Sequence, residues 1–225
     1  MESSLIRHMA GLPNMVGGKF LASPRADGRQ FPGLPLQWYD SSMSSPARND
    51  MDVDAFLAWA DGRQGRWELR DGQPVMMAPE RAAHALTKFA AQSALSAAIQ
   101  RARLPCRMFP NGMTVRITSR TAYEPDALVC PPPTDLNTME IPNPVVVVEV
   151  LSPSTAADDH GVKLDGYFSL GSVNHYLILD PDRRVMIHHR RGRAGAIETR
   201  VLREGKVILD PPGFEAQVAA FFATE

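Results

Sequence analysis

The run PVVVVEVLSPST, residues 144–155, constrains the fold more than any other stretch. Its four consecutive valines, followed by Val150 and Leu151, suit a pleated strand. Side chains alternate along a strand, so Val145, Val147, Glu149 and Leu151 share one face. Val146, Val148 and Val150 share the other. Valine on both faces marks a central strand covered on both sides. Ser152-Pro153 then breaks it. Glu149 is the exception in the run. An ionised carboxylate left alone in such a place costs several kcal/mol, so it protonates, pairs with a cation or binds a metal.

The rest of the chain supplies the layers. From Asp52, DVDAFLAWA carries Val53, Phe56, Leu57 and Ala60 at helical spacing, with Asp52 as N-cap. RWELRDGQPVMMA reads as two strands around Asp71-Gly72. Pro79 opens a long helix that ends before Pro105, with Leu86, Phe89, Ala90, Ser93, Ala94 and Ala97 as its packing stripe. Strands are expected at 106–109, 113–117 and 124–130, then the valine strand, then a helix over 158–170. Further strands follow at 175–180, 184–190 and 197–202, a short KVIL, and a terminal helix in GFEAQVAAFF. This is an α/β chain with a mixed sheet.

Residues 1–48 differ. They are rich in Pro, Gly and Ser, lack periodicity, and are expected to form a disordered tail ahead of one domain over 49–225. Met43 and Met51 offer later starts, and an organellar transit peptide fits the tail loosely. No apolar run approaches a membrane span and no continuous h-region marks a secretory signal. Two cysteines, Cys106 and Cys130, imply neither a disulfide framework nor a zinc site, so a reducing cytoplasm is the default. The net charge of −1 means that nucleic-acid contact would come from a local patch.

Glu149 has company. Asp126, in Glu124-Pro125-Asp126, lies 23 positions earlier at the start of a strand that can neighbour the valine strand. Glu68 sits in WELR. Clustered carboxylates repel unless a cation intervenes, and hard oxygen ligands suit Mg²⁺. Lys163 lies 14 positions beyond Glu149, close enough for a turn and one helical turn to fold it back. An ammonium there can orient water and neutralise charge developing on a phosphate.

A proline-aspartate, a strand glutamate about two dozen positions on and a nearby lysine together resemble the PD-(D/E)XK nuclease superfamily. More closely, WELRDGQPVMMAP…H, EPDALV, VVVVEVLSPST, the Asp159…Lys163…Tyr167 pattern and HYLILDP resemble the bacterial Uma-two family of restriction endonuclease-like proteins. The resemblance runs from about Met51 to the C-terminus. It implies a restriction endonuclease-like mixed central β-sheet flanked by helices and one metal-dependent hydrolytic site. Asp126 and Glu149 match its metal-binding acids, joined by the Val150 carbonyl, with Mg²⁺ as the cofactor and Mn²⁺ able to substitute. The superfamily's lysine belongs two residues after Glu149, where Leu151 stands, and the family's shifted lysine corresponds to Lys163. Glu68 matches a third acid and His84 a histidine early in the long helix.

The implied activity is hydrolysis of phosphodiester bonds, with DNA as substrate. Double-strand cleavage needs two sites, hence a homodimer or sequential nicking. A catalytically weak nucleic-acid-binding or regulatory module on the same fold, and a hydrolase of a smaller phosphoester, are the alternatives. Glu80 rivals Glu68 and forms an i, i+4, i+8 ridge with His84 and Lys88. His188-His189 cannot easily share a metal, because neighbours on a strand face opposite ways. The arginines of 183–193 read as an exposed hairpin or as a phosphate-contacting edge. Cys130 reads as a small core filler or a neighbour of Asp126.

Overall fold

The computed structural model describes residues 50–133, 135–151 and 160–223. The tail expected over 1–48, the 152–155 turn and Asp159 lie outside the described residues.

Asp52 caps α1 (Val53–Ala60), its carboxylate accepting the Ala55 N–H at 2.8 Å. The strands β1 (Trp67–Arg70) and β2 (Gln73–Met76) form the expected hairpin. Asp71 and Gly72 turn it with φ of 48° and 80°, both in the left-handed region that tight hairpins require. Helix α2 (Ala82–Ala102) begins three residues after Pro79, and Arg103 ends it in the left-handed conformation. Glu80 therefore stands ahead of the helix and not on it.

The strand expected over 124–130 is confined to its last four residues, and a separate short strand precedes it. After β3 (Arg107–Pro110) and β4 (Val115–Arg116), β5 (Ala122–Tyr123) joins a four-stranded sheet ordered β2-β1-β5-β4. Two residues past the crossing at Glu124-Pro125, β6 (Ala127–Cys130) enters a different, six-stranded sheet. That sheet also holds the valine strand β7 (Val146–Val150). Helix α3 (His160–Ser169) connects β7 to its parallel neighbour β8 (His175–Asp180). With β9 (Val185–Arg191) and β10 (Ile197–Leu202) the order is β10-β9-β8-β7-β6-β3, antiparallel except at β7–β8.

The last elements are β11 (Lys206–Leu209) and β12 (Phe214–Gln217), a separate hairpin followed by a short 3-10 turn. The terminal helix expected in GFEAQVAAFF is instead a strand, Phe214–Gln217, followed by the 3-10 turn Val218–Phe221. The strand's buried residues, Phe214 and Ala216, alternate with exposed Glu215 and Gln217 at a period of two, and the hairpin partner supplies the backbone bonds.

Valines on both faces of β7 are buried, as the run requires. Val146, Val148 and Val150 pack with α2 and the β11–β12 hairpin. Val147 packs with Tyr123, Tyr167, Tyr176 and Ile178 on the α3 side. A third cluster seats α1 on the small sheet through Val53, Phe56, Leu69 and Ala122.

Helix α2 does not bury the expected stripe. Thr87, Lys88, Ala91, Ala94, Leu95, Ala98 and Ile99 face inward, while Leu86 and Phe89 are 57% and 69% exposed. The helix is alanine-rich all round, so apolar periodicity does not select a face. The small Ala91, Ala94 and Ala98 permit close approach to the sheet.

Candidate active site

Glu149 and Val150 end β7, and Asp126 stands immediately before β6. The Asp126 N–H donates to the Val148 carbonyl at 3.0 Å, and its Oδ2 accepts the Val150 N–H at 2.8 Å. The aspartate thus closes the ladder where the strands part, which fixes its carboxylate beside Glu149. Gln92 of α2 holds the Asp126 carbonyl at 2.9 Å.

Helix α3 brings Lys163 over this strand end. Its Nζ donates to Glu149 Oε1 at 3.0 Å and to Glu68 Oε1 at 2.8 Å, and it is 6% exposed. Lys163 thus bridges Glu149 and Glu68 from the helix that follows the strand. Leu151 is a half-buried member of the core on that side. One helical turn on, Tyr167 donates its hydroxyl to the same Glu149 oxygen at 2.8 Å. Gly166 sets the helix height. A Cβ there would lie 2.9 Å from Tyr123 Cε2, so only glycine allows this approach.

Glu68 lies on β1 of the small sheet and is 1% exposed. Its Oε1 also accepts the Glu124 N–H at 3.3 Å, and its Oε2 accepts from Arg70 at 2.8 Å. His84, on the first turn of α2, donates through Nε2 to the Val150 carbonyl at 2.9 Å. All six expected residues, Glu68, His84, Asp126, Glu149, Val150 and Lys163, meet at one end of the β6–β7 pair. Glu80, the rival acid, is also present but on the opposite flank, bound to Arg66 and to Lys88 at 2.5 Å.

Several participants, Tyr167, Gln92 and Arg70 among them, were not singled out from the sequence as site residues. Glu124 accepts from Arg66 Nε at 2.6 Å, Arg66 brings Nη2 to 3.7 Å from Asp126 Oδ1, and Lys88 Nζ lies 3.2 Å from that oxygen. The only sequence signal for Lys88 was the ridge it forms with His84 and Glu80.

The electrostatics are uneven. Burial, reinforced by the Asp126 and Glu68 carboxylates, outweighs Lys163 and lifts the Glu149 carboxyl to about 7. Burial also opposes the charge of Glu68, but Lys163 and Arg70 more than offset it and hold that carboxyl below its ordinary value. The Tyr167 hydroxyl is pushed well up by burial and by Glu149, so it remains a donor.

Five carboxylates (Glu68, Glu80, Glu124, Asp126, Glu149) face four permanent cations (Arg66, Arg70, Lys88, Lys163). A phosphate anion would enter a field with no net positive charge. Among the described residues, no three His, Cys, Asp or Glu side chains form a metal-ligating group. Two carboxylates and a backbone carbonyl remain, a hard oxygen set of the size that Mg²⁺ takes while keeping its other ligands as water. The residues fit such a cation.

The remaining candidates fall elsewhere. His188 is buried and meets His175 of the adjacent strand, ring nitrogen to ring nitrogen at 2.9 Å, while His189 faces the other way and meets Thr199 at 2.8 Å. Burial lowers both His175 and His188 to about 4. Arg191 caps the end of α3, donating to the Phe168 and Leu170 carbonyls at 2.9 and 2.8 Å, and Arg184 donates to the Ala223 carbonyl at 2.8 Å. These arginines hold structure together. Cys130 is a core residue of the α3 side. Among the described residues, no helix is long and apolar enough to cross a membrane.

No curated protein matches the chain. A crystal structure described as "a putative nuclease belonging to DUF820", from Anabaena variabilis ATCC 29413, is similar with a TM-score of 0.62 at 17% identity. The match covers 76% of this chain and 97% of that one, and it shows a shared nuclease-like fold. The family model "Uma2: Putative restriction endonuclease" matches residues 53–223, a span that holds every site residue named above. The chain belongs to the Uma2 family.

Proposed function

We propose that this protein is a divalent-cation-dependent hydrolase of phosphodiester bonds, with DNA as its substrate. One observation carries the reading: Lys163 Nζ sits 3.0 Å from Glu149 on the strand end that also bears Asp126 and the Val150 carbonyl. That is the acid, acid and cation combination that phosphoryl transfer needs, on a fold whose family description names the same chemistry.

Asp126, Glu149 and the Val150 carbonyl would hold Mg²⁺, or Mn²⁺ in its place. When bound, the cation supplies charge neutralisation and a water of lowered pKa. Lys163 places a fixed positive charge where the phosphate gains negative charge. Tyr167 holds the Glu149 Oε1 in place. His84 orients the Val150 carbonyl from α2, and Glu68 anchors Lys163 from the far side. A single site of this kind nicks one strand at a time, and a homodimer would be needed for concerted double-strand cleavage. Action in the cytoplasm belongs to the same reading.

The test is incubation of supercoiled plasmid and single-stranded DNA with purified protein in Mg²⁺ or Mn²⁺, beside Asp126→Ala and Glu149→Ala. Nicking by the wild type that both variants lose is expected. Cleavage that survives in the variants would overturn this site and point to another source of the activity, and a wild type that cleaves neither substrate would refute the reading and favour a nucleic-acid-binding module.

A further inference from the structure

The hydrolase reading leaves the Asp126 flank of the site unexplained, and the inference here rests on that reading. Two cations gather on this flank, one from each side. Arg66 immediately precedes β1 of the small sheet, and Lys88 lies on the inward face of α2 with 4% of its surface exposed. Both reach one oxygen: Glu80 Oε1 accepts from Arg66 Nη1 and from Lys88 Nζ. Both also approach one oxygen of Asp126, Oδ1, at 3.7 and 3.2 Å.

Arg66 is incompletely matched. Its Nε is bound to Glu124 and its Nη1 to Glu80, but Nη2 is closed off from solvent and has no hydrogen-bond acceptor. The 3.7 Å to Asp126 is too long to be one. Buried guanidinium N–H groups are almost always satisfied, so the arrangement lacks an acceptor at this point. The fork is also fixed in place by Glu124, which leaves Nη1 and Nη2 as a preset pair of donors. That pair matches two oxygens of a phosphate, and a neighbouring ammonium adds a point charge to the same anion.

Glu80 is the partner most easily displaced. It stands in the turn ahead of α2, its side chain is 27% exposed, and Asp126 and Glu124 are far more enclosed at 4% and 10%. Because Nη2 is shut from solvent, an incoming oxygen has to take the position of Glu80 and does not fill open space. Lys88 would move with the substitution, from one oxygen anion to another, without leaving Asp126.

We propose that Arg66 and Lys88 are the phosphate-binding pair of this site, held by Glu80 until a phosphodiester of the substrate displaces that carboxylate.

The experiment measures equilibrium binding of a short fluorescein-labelled duplex by anisotropy, in CaCl₂ at several salt concentrations. The proteins are wild type, Arg66→Ala, Arg66→Lys, Lys88→Met, Glu80→Gln and, as a control on the remote hairpin, Lys206→Ala. Arg66→Ala and Lys88→Met are expected to weaken binding by about tenfold or more and to flatten the salt dependence by about one phosphate contact each. Arg66→Lys keeps the charge and loses the fork, so its salt dependence stays and its affinity falls. Glu80→Gln is expected to bind several-fold tighter, the reverse of what a merely structural ion pair would give. Lys206→Ala should match the wild type.

Wild-type affinity and salt dependence in Arg66→Ala and Lys88→Met would overturn the pair while leaving the hydrolase reading intact. Should those two variants fail to fold, as melting would reveal, Glu80→Gln decides alone, and unchanged or weaker binding there overturns the proposal. A wild type that binds no DNA overturns the hydrolase reading and this pair with it.

Discussion

Lowering the pH should destabilise this protein through two histidines far from the candidate active site. His175 and His188 are 0% and 3% exposed, share a hydrogen bond of 2.9 Å, and are lowered from 6.5 to about 4. The unfolded chain therefore binds more protons between about 4 and 6.5, so stability is full above that window and falls as pH falls through it. At pH 5 one such histidine costs about 2 kcal/mol, from the linkage relation with these two pKa values. Both rings remain essentially neutral in the native state at pH 5, so the pair costs up to about 4 kcal/mol.

Glu149 acts in the opposite sense. A carboxyl raised to about 7 makes the native state bind more protons than the unfolded chain between 4.5 and 7, so its contribution grows as pH falls. The clean quantity is a difference between two proteins. Urea unfolding followed by circular dichroism at pH 8 and pH 5 should be compared for wild type and His175→Leu/His188→Leu. The wild type should lose about 2–4 kcal/mol more than the variant over that interval. Parallel losses in the two proteins would refute the reasoning, because the histidines would then be protonated in the native state without cost.

Lys163→Met strands two buried carboxylates, and breaking such a network from one side costs about 3–5 kcal/mol. Urea midpoints at pH 7.5 check this, Glu149→Gln in the same chain should recover part of the loss, and a cost under about 1 kcal/mol would contradict the network. Gly166→Ala forces a Cβ against Tyr123, so it should displace α3 and lower cleavage at least tenfold while the fold persists; unchanged turnover would show that the helix height is unimportant.

Much of this arrangement was readable in the chain. Valine on both faces of residues 145–151 requires a central strand, and a glutamate in that run requires a partner. A lysine 14 positions on was a candidate for that partner, since a turn and one helical turn can return the chain to the strand end, and the family resemblance pointed to the same residue. Other features were not readable, for physical reasons. The ion pair from Arg66 to Glu124 spans 58 positions, and nothing local in either segment records it. The inward face of α2 was misjudged because an alanine-rich helix has little periodicity, and the face that turns inward carries Lys88. The strand in GFEAQVAAFF was hidden by three alanines and three phenylalanines that suit a helix equally well. Its alternation becomes decisive only when β11 is there to pair with it.

The step from β5 to β6 carries a consequence for folding. Glu124 is held from the small sheet and Asp126 from the large one, so two residues apart in sequence answer to two different sheets. The contact between Lys163 and Glu68 closes a loop of 95 positions across the same junction. Contacts of that separation form late, after the loop entropy has been met by the packing of both sheets. A chain still emerging from the ribosome thus has its acids and its cations but no centre. The assembled arrangement of acids and cations arrives all at once with the docking of the sheets, and it should vanish with the first cooperative opening between them.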